Sequence, residues 1–191
     1  MARADDILSL PVGLPPPADD GACEHLGGLI VPPVLLTSTS NGYVNLARAS
    51  AAKSIVVFCY PRTGVPDREP PPGWDAIPGA RGCTPETCGF RDRYQEFLAL
   101  GVEVFGLSTQ ASDYQREMRA RLRVPFDFLS DNQFEFTDGI RLPTFEVEGM
   151  RLLRRLTLLL RNGRIDQVFY PVFPPDTHSS EVLDWLRKSP R

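Results

Sequence analysis

The apolar patterning of the chain predicts an α/β fold: a central mixed sheet with helices on both faces and an N-terminal β-hairpin. Three observations carry that expectation. Residues 54–60 (SIVVFCY) form a continuous β-branched and aromatic run, which suits a strand covered on both sides. Residues 102–107 (VEVFGL) form a second such run with a helical pattern between, so the two read as a parallel β-α-β unit. Residues 155–161 and 164–170 flank Asn162-Gly163, a dipeptide that favours a two-residue hairpin turn, and supply antiparallel strands.

The remaining elements follow in chain order. Residues 1–28 are rich in Pro, Gly and Asp, with Pro15, Pro16 and Pro17 consecutive, and read as an arm lying over the surface of a domain spanning 29–191. Between residues 29 and 46, short apolar pieces flank a polar stretch ending in Asn41-Gly42, which predicts the N-terminal hairpin. Pro61 ends the first buried strand. Residues 62–82 then hold five prolines and four glycines around Trp74, an irregular insertion longer than the ~12–15 residues beyond which loops are functional or mobile.

Thr84 reads as the N-cap of the next helix, with Pro85 at its first position and Glu86 on the positive dipole end. Phe90, Tyr94, Phe97 and Leu98 give that helix one inward face until Gly101 stops it. Ser112 caps a further helix, with Tyr114, Met118 and Leu122 one turn apart and Val124-Pro125 at its end. Phe126, Phe128, Phe134 and Phe136 read as core. A closing helix runs over 179–188 after Pro174-Pro175.

Composition narrows the function. At 191 residues, 42% apolar and 24% charged, the chain fits one globular domain. A net charge of −3 with no run of like charges argues against nucleic acid and anionic membranes as partners. The first ten residues carry two acids and no apolar core of a secretory signal, and no apolar run approaches the ~20 residues of a membrane span, so a cytoplasmic location is expected. Four cysteines (Cys23, Cys59, Cys83, Cys88) in such a chain point to reduced thiols, metal ligation or redox chemistry.

The densest constellation is G-C-T-P-E-T-C-G-F-R-D, residues 82–92. It puts Cys83 at the mouth of a helix, where unpaired N–H groups and the dipole stabilise a thiolate and lower a thiol pKa from about 8.5 toward 3.5–7.5. Cys88 follows five residues on, and helical positions i and i+5 have Cα atoms roughly 8.5 Å apart. A disulfide needs less than about 7 Å. The spacing therefore suits a pair that cycles between a reduced helix and an oxidised, locally unwound one.

This segment resembles the active-site motif of peroxiredoxins, in particular the Q-type or bacterioferritin-comigratory-protein branch. Tyr60-Pro61, Gly82-Cys83-Thr84, Glu86, Cys88 and Phe90-Arg91-Asp92 stand where that family has them, and residues 104–108 (VFGLS) resemble its next strand. The likeness spans about residues 30–188 and implies a thioredoxin-like fold. It also implies that Cys83 is the peroxidatic cysteine, Cys88 the resolving one, and Arg155 the arginine that holds thiolate and peroxide. Arg155 remains charged and offers donors in a fixed fork, while strand alternation points the adjacent Arg154 to the opposite face. The reaction implied needs no metal, haem or flavin. Its substrates are hydroperoxides and its donor thioredoxin or a similar dithiol, acting on a monomer or weak dimer.

The sequence departs from the family at one point: Ala80 stands three residues before Cys83, where a threonine hydroxyl ordinarily touches the peroxide. Thr63 supplies that hydroxyl only if the insertion folds back, and the insertion with Trp74 reads as a lid over the site. Glu86 serves the helix dipole or shuttles a proton, and Tyr60 supports the site or ends a strand. Cys59 sits in an apolar strand as a small hydrophobe. Cys23 and His25 alone fall short of the three or four ligands of a zinc site. A non-enzymatic peroxide sensor and a redox-regulated binding module stand as alternatives, whereas a disulfide oxidoreductase would use C-x-x-C.

Overall fold

The structure, a computed structural model, describes residues 9–65 and 68–189; residues 1–8 of the arm and Pro66 of the insertion lie outside the described residues. The elements are β1 (Leu35–Ser38), β2 (Tyr43–Asn45), α1 (Leu46–Ala52), β3 (Ser54–Cys59), α2 (Cys83–Asp92), α3 (Tyr94–Ala99), β4 (Val102–Ser108), α4 (Ser112–Arg121), β5 (Phe128–Ser130), α5 (Glu135–Gly139), β6 (Thr144–Val147), β7 (Met150–Leu153), β8 (Leu156–Arg161), β9 (Arg164–Phe169) and α6 (His178–Lys188). Seven strands form one sheet in the order β2-β1-β5-β4-β3-β8-β9. β3, β4 and β5 run parallel, while β8 joins β3 antiparallel and β9 continues from it. The mixed sheet is the one the sequence predicts.

Alternation along β3 sends its side chains into two separate cores. Ile55, Val57 and Cys59 join Leu46 of α1 and Phe136 of α5 on one face. Val56, Phe58 and Tyr60 join Phe90, Phe97, Met118 and Val182, from α2, α3, α4 and α6, on the other. On that second face the Phe58 and Phe90 rings stack at 4.5 Å, and Gly106 has no side chain because a Cβ there would lie 2.4 Å from the Phe128 ring. The C-terminal end of β3 thus delivers Tyr60 directly beneath the start of α2. No helix of the described residues is long and apolar enough to cross a membrane.

Several expectations need correction. The arm does not stay on the surface: Cys23 and Leu26 are buried in the first core, so the boundary at residue 28 cuts through packed structure. The N-cap of α2 is Gly82, at φ 108°, and Thr84 lies buried inside the helix. Gly82 has no side chain to cap the first turn; its carbonyl accepts the first intrahelical bond, from Glu86 N–H. The predicted single helix breaks at Arg93 into α2 and α3, a phase shift that buries Phe97 and leaves Leu98 exposed. Ser112 is the first residue of α4 rather than its cap, and Tyr114 is 46% exposed. Phe134 is only half-buried, in a left-handed turn before α5.

Candidate active site

Strand parity selects the arginine. Arg155, just ahead of β8, shares the parity of Thr157 and Leu159 and lies 3% exposed on the α2 side of the sheet. Arg154 goes the other way, donating to Asp20 at 2.6 Å and to the Tyr170 hydroxyl at 3.1 Å. The two neighbours therefore have separate tasks: one anchors the arm, the other reaches the cysteine.

All three nitrogens of the Arg155 guanidinium are engaged. Nη2 donates to Cys83 Sγ at 3.2 Å, Nη1 donates to Glu86 Oε2, and Nε donates to the Gly79 carbonyl at 3.1 Å. Nη2 also approaches the carbonyls of Ala80 and Arg81 at 3.2 and 3.3 Å. The end of the insertion is thereby tied to the same cation that holds the sulfur. Sγ in turn lies 3.7 Å from the Ala80 carbonyl, the acceptor for its proton while it is a thiol.

Burial sets the electrostatics. Burial raises the Glu86 carboxyl above the usual carboxylate range, although the charges of Arg155 and His178 and the Arg155 hydrogen bond pull it back. Burial alone would lower Arg155, but the charges of Cys83 and Glu86 outweigh it and hold the guanidinium above its ordinary value. Burial pushes the Tyr60 hydroxyl well up, and the nearby Cys83 and Glu86 add to that, so Tyr60 stays a neutral donor beside the site. Burial also raises the Cys88 thiol, opposed by Arg91.

The remaining predicted residues fall into place around this centre. Tyr60 Oη, Thr63 Oγ1, Glu86 Oε1 and Thr87 Oγ1 are buried and make no hydrogen bond among the described residues. Thr63 is anchored by its own N–H to Gln110 Oε1 at 2.6 Å. Trp74 is buried against Ala80 and Leu152, 6.1 Å from the Phe145 ring, and so pins the insertion from its outer side. Ala80 itself contributes its carbonyl to the site and its methyl to that cluster. Thr84 is buried in the first turn, and Cys88, half-buried, lies on the same helix as Cys83.

Sequence reasoning missed three parts of the site. The carbonyls of residues 79–81 act through the main chain and leave no mark on side-chain identity. His178 is buried, with Nε2 2.9 Å from Thr157 Oγ1 and Nδ1 2.8 Å from Glu181 Oε2. A cleft of about 250 Å³ opens beside Arg155, bounded by Pro17, Ile77, Pro78, Phe145 and Tyr170. Among the described residues no group of three or more His, Cys, Asp and Glu is placed to hold a metal ion.

The centre is thus a buried cysteine at a helix N-terminus held by an arginine that is itself paired to a glutamate. The redoxin family profile matches residues 27–185, and the chain belongs to that family. Within it, the chain stands with the peroxiredoxin Q and bacterioferritin-comigratory branch. Chloroplastic peroxiredoxin Q of Gentiana triflora is 26% identical over 189 residues, covering 96% of this chain and 79% of that protein. The fold is shared with peroxidoxin BcpB of Mycobacterium tuberculosis, at TM-score 0.70 and 23% identity over 87% of this chain and 99% of that one. It is shared too with the Xanthomonas campestris bacterioferritin comigratory protein, a protein with alkyl peroxide reduction activity, at TM-score 0.65 and 22% identity over 81% and 90%.

Proposed function

We propose that this chain is a thiol-dependent peroxidase in which Cys83 attacks hydrogen peroxide or an organic hydroperoxide and Cys88 resolves the product. The Cys83 thiolate attacks the terminal peroxide oxygen, the O–O bond breaks, and the leaving oxygen takes a proton to depart as water or alcohol. Cys83 is left as sulfenic acid. The Cys88 thiol then attacks that sulfur, a second water leaves, and an intramolecular disulfide closes. A thioredoxin-like dithiol returns both sulfurs to thiols and is itself oxidised.

The observation that carries this reading is the 3.2 Å hydrogen bond from Arg155 Nη2 to Cys83 Sγ, with Glu86 holding the same guanidinium. A preorganised cation at that place stabilises negative charge on the attacking sulfur and on the leaving oxygen as the O–O bond breaks. The alkyl peroxide reduction of the Xanthomonas relative supports organic hydroperoxides as substrates.

Turnover tests it. Supplied with dithiothreitol or with thioredoxin, thioredoxin reductase and NADPH, the protein should consume many equivalents of hydrogen peroxide and of cumene hydroperoxide, and Cys83→Ser should consume none. Consumption that stops at one equivalent with either reductant would replace the enzyme by a peroxide sensor.

A further inference from the structure

Resting on the Cys83–Cys88 reading, we infer that residues 9–17 form a redox-gated strap: seated on the start of α2 while the cysteines are reduced, and released when they bridge. Both cysteines lie on α2, where five residues of helix separate their Cα atoms by roughly 8.5 Å, beyond the reach of a disulfide. Closing the bridge therefore unwinds the first turn. What is attached to that turn decides what else moves.

Two contacts hold the strap, one at the N-cap of the turn that must move and one three residues ahead of it. At the N-cap, a Cβ built on Gly82 would lie 2.8 Å from Leu10 Cδ2 and 2.4 Å from Pro175 Cγ, so the backbone of residue 82 is wedged between the strap and the segment leading to α6. Three residues earlier, the same construction on Gly79 meets the Pro17 ring at 3.6 Å. Gly79 is held by Arg155, which also bonds the Ala80 and Arg81 carbonyls and, in the first turn, Cys83 and Glu86. Once the turn unwinds and the sulfur leaves Arg155, the seat at Gly82 loses its shape and the seat at Gly79 loses the support that ran through Cys83.

The root of the strap is anchored elsewhere. Asp20 accepts from Arg154 at 2.6 Å and from the Tyr170 hydroxyl at 2.8 Å, and Cys23 and Leu26 are buried in the opposite core. Residues 9–17 make no backbone hydrogen bond among those described, and they are held by side-chain packing alone, with Leu10, Pro11, Leu14, Pro15 and Pro17 half-buried. The chain hinges at residues 18–19 without disturbing the core. The strap thus covers the start of α2 in the thiol state and uncovers it in the disulfide state, the one state a dithiol reductant must engage.

Methyl NMR of the full chain reads this directly. In the reduced protein a Leu10 methyl should show an NOE to Gly82 Hα. After one equivalent of hydrogen peroxide, that NOE should vanish and the Leu10 signals should move to random-coil positions, with the Leu26 methyls unmoved. Cys88→Ser, which stops before the bridge, should keep the NOE after the same treatment. Leu10→Asp should raise the rate of bridge closure about fivefold, with sulfenic acid formation unchanged. A Cys83–Cys88 bridge mapped by mass spectrometry with the NOE intact overturns the strap alone. Absence of that bridge overturns Cys88 as the resolving cysteine and the strap with it, and catalytic turnover with dithiothreitol then separates this failure from failure of the peroxidase reading.

Discussion

The two faces of the central sheet each bury cysteine, and they treat it in opposite ways. Cys23 and Cys59 belong to the core that contains α1 and α5, where burial raises both thiols, Cys59 well up and Cys23 to about 12 with help from Asp20 and Asp19. Cys83 belongs to the other core, at 5% exposure no more accessible than Cys23 at 7%. Burial therefore does not distinguish them. The difference lies in what touches the sulfur: Cys83 accepts a guanidinium hydrogen bond at the open end of a helix, whereas Cys23 feels Arg154 only as a charge, outweighed by burial and by Asp20 and Asp19. A buried thiol becomes a nucleophile when a fixed cation replaces the water it has lost.

The comparison breaks most sharply at Arg155. Arg155→Met should slow the reaction of Cys83 with hydrogen peroxide about 10²–10³-fold in stopped-flow measurements. Cys23→Ala and Cys59→Ala should leave that rate within about twofold. If the arginine variant keeps its rate, the guanidinium does not make the two faces different.

Trp74 supports the same face from outside, since it packs on Ala80, whose carbonyl Arg155 uses. Trp74→Ala should cost about 3 kcal/mol of stability in urea unfolding. It should also slow the peroxide reaction, whereas an equal destabilisation in the other core, by Phe136→Ala, should not.

Glu86 gives a pH signature. Its folded carboxyl is raised above the usual range, so the folded state binds that proton more readily than the unfolded chain does. The stability due to this group is present below about pH 4.5 and is lost as pH rises toward the folded value. Glu86→Gln should remove that slope from a series of urea midpoints between pH 4 and 8.

The smallest effect is a silence. Iodoacetamide at pH 8 should label Cys88 well before Cys23, and Cys23 should stay unlabelled as pH is raised to about 10, because its thiol keeps its proton to about 12. Rapid labelling of Cys23 would show that its side of the sheet opens more readily than its packing implies.

Much of this was legible in the chain. The runs at β3 and β4, the Asn162-Gly163 hairpin and the closing helix announce themselves because burial on both faces and tight turns leave strong residue signatures. Arg155 as the partner of Cys83 was legible through the family resemblance, and strand parity then set the adjacent Arg154 aside. Other features were hidden for physical reasons. The β6–β7 hairpin turns on Glu148-Gly149, whose positive φ at a glutamate gives no Asn-Gly signal. Helix α1 is seven residues long and capped by Asn45, part of what reads as the preceding hairpin. The break at Arg93 is imposed by packing, with neither proline nor glycine to mark it. The bonds from Arg155 to residues 79–81 run through main-chain carbonyls, which every residue possesses.

The most direct test is a peroxide titration of the reduced protein followed by disulfide mapping. One equivalent of hydrogen peroxide should produce a single bridge between Cys83 and Cys88; Cys83→Ser should yield none, and Cys88→Ser should accumulate sulfenic acid at Cys83. A bridge that includes Cys23 or Cys59, or oxidation that spares Cys83, would contradict the assignment of reactivity to the face that carries Arg155.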